Sequence, residues 1–96
     1  MKAWFLSLPY IANPEIGPTI SLNPYQWEGS NGWTDNNAQT IVACAESEGE
    51  ARQMAADIDC GIWLDSAYAA CIPFATCQAD WKPGVLCVEW GEAENE

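Results

Sequence analysis

Ninety-six residues are enough for one domain with a single modest core. Almost half of them are apolar (49%) and six are Trp, which excludes the hydrophobe-poor composition of a disordered chain. Fourteen acids against three basic residues, Lys2, Arg52 and Lys82, give a formal net charge of -11, so a phosphate backbone or an anionic lipid surface is repelled and a cationic protein surface is attracted.

In chain order, Ala3 to Leu8 is a short apolar run rich in aromatics and closed by Pro9, which predicts a first strand. The segment from Met1 to Ala12 faintly resembles a signal peptide, but a lone basic residue, the internal Pro9 and the lack of a small-x-small site favour a buried strand. From Asn13 to Asn37 the chain carries Pro14, Gly17, Pro18, Pro24, Gly29 and Gly32 and reads as an irregular segment, with at most a brief strand over Thr19 to Leu22. Asn31-Gly32 has the composition of a tight hairpin turn between Trp27 and Trp33, and long irregular stretches in small domains often serve as binding loops.

Thr40 to Ala45 is β-branched and apolar and predicts a further strand. Ser47 and Glu50 stand in capping-box spacing directly after it, so a helix is expected over 47–60. Ala51, Met54, Ala55 and Ile58 fall at i, i+3, i+4 and i+7, an apolar stripe for a sheet, and Gly61 offers a left-handed stop. Glu48 and Glu50 suit the positive end of the helix dipole. Ser66 to Cys71 allows another helical turn before Pro73, and no clear period follows as far as Trp81. Lys82-Pro83-Gly84 matches a type II turn, Val85 to Trp90 the last strand, and residues 91–96 an acidic tail that frays.

These elements predict an α+β fold: a single domain over 1–96 with a three- or four-stranded, mainly antiparallel sheet and one principal helix on one face. There is no internal repeat or low-complexity tract. No apolar run approaches the ~18 residues that a membrane span needs. A soluble protein is expected.

The chain contains no His, which removes the usual general base and metal ligand. It also lacks a phosphate loop, a dinucleotide fingerprint and a nucleophile elbow. The carboxylate pairs Asp57 with Asp59 and Glu46 with Glu48 are two residues apart and do not share a helix face. The cysteines Cys44, Cys60, Cys71, Cys77 and Cys87 are odd in number and irregularly spaced, which suits free buried thiols in a reducing, cytoplasmic setting better than a disulfide framework. A zinc site built on Cys71, Cys77 and Cys87 has the wrong spacing, and a nucleophilic Cys lacks an activating His. No catalytic residue, metal or cofactor is expected, and the chain reads as a binding protein and not an enzyme.

Trp4, Trp63 and Trp90 lie in or beside apolar segments and are expected in the core, whereas Trp27 and Trp33 sit in polar loop sequence as candidate aromatic anchors for a partner. The second candidate surface is acidic: Glu46, Glu48, Glu50, Asp57 and Asp59 around the helix, with Glu89 and Glu92 near the end. Carboxylates at backbone-like intervals imitate a phosphate track and compete for the Lys and Arg groove of a nucleic-acid-binding complex. The plainer reading of the acidity is solubility. In that case the chain is a structural or interaction module docking through Trp27 and Trp33.

Thr40-Ile-Val-Ala-Cys-Ala45, Glu46-Ser-Glu-Gly-Glu-Ala-Arg-Gln-Met-Ala55, Trp63-Leu-Asp65 and Pro83-Gly-Val-Leu-Cys87 together resemble small proteins of bacteriophages and mobile elements. In size and acidity the chain is similar to the anti-CRISPR proteins, several of which block CRISPR effector complexes by mimicking DNA. The resemblance implies an inhibitor working in the cytoplasm of a host bacterium. Its partner would be a basic host protein or nucleoprotein complex, plausibly a CRISPR effector, and no functional residue carries over from it.

Overall fold

The computed structural model describes residues 1–8, 24–29, 32–34 and 36–91. Four strands, β1 (Lys2–Ser7), β2 (Ala38–Ala45), β3 (Ala70–Thr76) and β4 (Gly84–Trp90), form one sheet in the order β3-β1-β2-β4, with every pairing antiparallel. One α-helix, α1 (Glu48–Ile58), packs on one face. The fold is therefore α+β with one principal helix on a four-stranded antiparallel sheet.

Register explains where the core lies. Successive strand residues point to opposite faces, and the pairings align Cys71, Leu6, Ile41 and Val88 in one row and Pro73, Trp4, Ala43 and Val85 in the next. These rows meet Ala51 and Ala55 of α1, with Ile62, Trp63 and Ala69 closing the layer. The alanines on both sides, Ala43 and Ala45 against Ala51 and Ala55, let the helix backbone approach the sheet closely. Trp4 and Trp63 are buried as expected, and Trp4 Nε1 donates to the Ala45 carbonyl at 3.0 Å across the core.

The helix starts as its sequence requires. Ser47 is the N-cap, its hydroxyl accepts from Glu50 N–H at 3.2 Å, and the Glu50 carboxylate accepts from Glu46 N–H at 2.7 Å, one residue before the usual capping-box partner. Its other end departs from expectation. Asp59 is the C-cap, and Gly61 opens a short 3-10 turn (Gly61–Leu64) instead of taking a left-handed conformation. Ile58, expected in the apolar stripe, is 40% exposed, whereas Arg52 is buried.

Three further expectations are corrected. The helical turn expected over Ser66 to Cys71 is cut short: the N–H groups of Tyr68 and Ala69 donate to Asp65 O in one turn, and the chain then enters β3, which has an edge position and a register shift at Pro73. Proline lacks the N–H that a central strand needs, and an edge with a bulge is where a sheet accommodates it. Lys82-Pro83-Gly84 is not a type II turn: Gly84 has φ 159°, nearly extended, and the chain reverses earlier, at the Trp81 N–H to Gln78 carbonyl bond. Trp90 is 46% exposed instead of buried. Gly32 does adopt φ 66°, and its N–H donates to Gly29 O, while Trp27 and Trp33 belong to no strand and Asn31, the other residue of the expected hairpin turn, lies outside the described residues. The expected strand at Thr19 to Leu22 and the tail beyond Gly91 lie outside the described residues.

The cysteines also differ from expectation. Cys44 and Cys77 form a disulfide, while Cys60 and Cys71 are half-buried and Cys87 is exposed. The cause is topological: β3 and β4 are opposite edges of the sheet, so the link between them must run past the ends of β1 and β2. Cys77 N–H donates to Met1 O there, and the bond to Cys44 packs over Ala3, whose methyl leaves room for it.

Candidate functional site

Arg52 decides the electrostatics of the helix. Its guanidinium turns inward, donating to the carbonyls of Trp63 and Ala69 at 3.0 Å each and to the Glu48 carboxylate at 2.8 Å. The outward face of α1 is left with Glu50, Gln53 and Asp57 at i, i+3 and i+7, a stripe roughly 10 Å long. Glu46 extends it before the helix, with a 70% exposed carboxylate 4.0 Å from the N-terminal ammonium. Glu48 flanks it, half exposed and paired with Arg52. Gln53 Nε2 donates to Asp57 at 2.9 Å and orients that carboxylate.

The remaining acidic candidates do not join this stripe. Asp59 accepts 2.6 Å hydrogen bonds from Trp63 Nε1 and Asn37 Nδ2, so it fastens the helix end to the core and to the segment entering β2. Glu89 pairs in register with Thr40 on the sheet face away from α1. Glu92 lies outside the described residues. Neither loop tryptophan is fully exposed. Trp33 is 4% exposed, stacked edge-on against Tyr25 with ring centroids 4.9 Å apart. Trp27 is half-buried against the core, its ring filling the space that a Cβ on Gly29 would need. An aromatic anchor needs exposed ring surface to bury on docking, and Trp33 has almost none.

The thiols do not converge. Cys71 belongs to a core-facing row and Cys87 to the opposite face, Cys77 is disulfide-bonded, and no group of three metal-ligating side chains occurs among the described residues. Burial pushes the Cys71 thiol up to about 11 against the lesser pull of Arg52, and burial, reinforced by the Asp59 carboxylate, raises Cys60. Both are protonated at neutral pH and are poor nucleophiles.

On the second face of the sheet Cys77 covers Ala3 and Cys44 at one end, and the rest has no layer over it among the described residues. Ile72, Phe5, Val42 and Cys87 align across all four strands, Phe74 meets Phe5 edge-on with centroids 6.4 Å apart, and Phe5, Ile72, Phe74 and Leu86 are 40–58% exposed. Sequence reasoning missed this face, although Ala3 to Leu8 is apolar at both strand parities, the sign of a strand buried on two sides. No helix among the described residues is long and apolar enough to cross a membrane. No family model, curated protein or solved structure matches the chain.

Proposed function

We propose that the protein is a non-catalytic inhibitor that docks a basic, nucleic-acid-handling protein surface through the acidic stripe Glu46, Glu50 and Asp57, flanked by Glu48, and so excludes the nucleic acid. The inward turn of Arg52 is the observation that supports this reading most, because it strips the helix exterior of its one positive charge. The contact surface is narrower than composition suggests, since Asp59 is engaged in the fold and Glu89 faces the other way. A CRISPR effector is a partner of the right chemistry.

This reading puts the protein in the cytoplasm. The Cys44–Cys77 bond pulls against that location, because disulfides are rare where glutathione and thioredoxin keep thiols reduced. Alkylating the thiols at lysis and counting modified cysteines by mass gives three for the bonded form and five for the reduced one.

The test of the function is a pull-down from bacterial lysate at about 50 and 200 mM salt, comparing the wild type with a Glu46→Gln/Glu50→Gln/Asp57→Asn variant. Gln at position 50 keeps the acceptor of the helix start. Recovery of a nucleic-acid-binding complex that is lost at higher salt, on adding DNA and in the variant is expected. Equal recovery by the two proteins at both salt levels would remove the acidic stripe from the contact.

A further inference from the structure

We infer that the open face of the sheet is a self-association surface, on which a second copy of this chain packs sheet to sheet. A sheet apolar on both faces is ordinarily sandwiched between two layers, and among the described residues α1 supplies only one. The opposite face carries the row Ile72, Phe5, Val42 and Cys87, with Phe74 and Leu86 at two of the three register shifts. Phe5, Phe74, Ile72 and Leu86 at about half exposure offer roughly 400 Å² of apolar surface. A stable interface takes about 800 Å² from each partner. With a rim of Ser7, Thr40, Ala70 and Glu89, the face fits a reversible, concentration-dependent dimer.

Charge selects the occupant. A cationic partner finds only Glu89 among the residues that register places on this face, whereas the acids of α1 lie on the far side of the sheet. A chain of net charge -11 can meet its own copy only where these acids stay apart. Stacked sheets lie about 10 Å from each other and each helix about as far again behind its sheet, so the two acidic stripes end up roughly 30 Å apart. That is several times the ~8 Å screening length at physiological salt. The same apolar row on both copies makes the contact self-complementary, as a two-fold interface requires. The dimer would carry one acidic helix on each outer surface.

Sedimentation velocity of the purified chain, from low micromolar to near-millimolar concentration, tests this. The mass is expected to rise from 10.5 kDa towards twice that value, and added salt is expected to leave the association unchanged or strengthen it, the reverse of a contact with a basic partner. Ile72→Glu/Phe74→Glu alters two residues that are more than half exposed on an edge strand. It is expected to remain monomeric throughout with an unaltered circular dichroism spectrum. A wild type that is monomeric at every concentration overturns the inference, as does a variant that dimerises equally well. Mass-mapped alkylation of Cys87 in the wild type is a second measure that does not depend on the variant folding. Its rate is expected to fall several-fold on concentration, and a constant rate counts against the proposal.

Discussion

A guanidinium presents five N–H donors in a fixed plane, and Arg52 directs them at two buried carbonyls and one half-exposed carboxylate. The residue thereby ties α1 to the 3-10 turn and to the entry of β3. Arg52→Met keeps the apolar stem but leaves the carbonyls of Trp63 and Ala69 without these donors. The expected loss is about 2–4 kcal/mol of unfolding free energy in a denaturant titration. The Cys71 thiol has a different signature. It holds its proton more tightly in the folded state, with a pKa moved from 9.0 to about 11 by burial. Its contribution to stability is therefore full below pH 9 and disappears as pH rises through about 11. Stability measured from pH 8 to 11 is expected to fall more steeply for the wild type than for Cys71→Val, and parallel curves would refute the assignment.

Among the elements, α1 was the most legible from sequence. Ser47, Glu50 and the spacing of Ala51 and Ala55 specify its start and inner face through local hydrogen bonds and period alone. Strand β3 was illegible, because Pro73 argues against a strand unless the strand is known to be an edge. The link from β3 to β4 depends on that topology, since it must pass two strand ends and is pinned there by Cys44–Cys77. Closing a loop of sequence separation 33 stabilises the fold by roughly 3–4 kcal/mol in the chain-entropy account. Cys44→Ala/Cys77→Ala is expected to lower the unfolding free energy from a urea titration by that amount, with a steeper slope because the unlinked unfolded chain exposes more surface. A variant as stable as the wild type would mean that the bond does not form in solution.

At the scale of the whole molecule, the carboxylate stripe lies behind α1 and the row of Phe5 and Ile72 on the opposite side of the sheet, with Glu89 at that row's rim. The two surfaces should answer oppositely to salt: docking through the acids weakens, while sheet stacking is indifferent or strengthened. Composition, the absence of His, the helix and the α+β class could be read from sequence because they depend on residue counts, on chemistry missing from the alphabet used, or on contacts within one turn. Which acids of the helix remain free, that Arg52 turns inward, that Trp33 is buried, that Cys44 meets Cys77 and that one sheet face stays largely open among the described residues were decided by tertiary structure. Each of these depends on which distant segments become neighbours in the order β3-β1-β2-β4, and long-range register is not encoded in any local period of the chain.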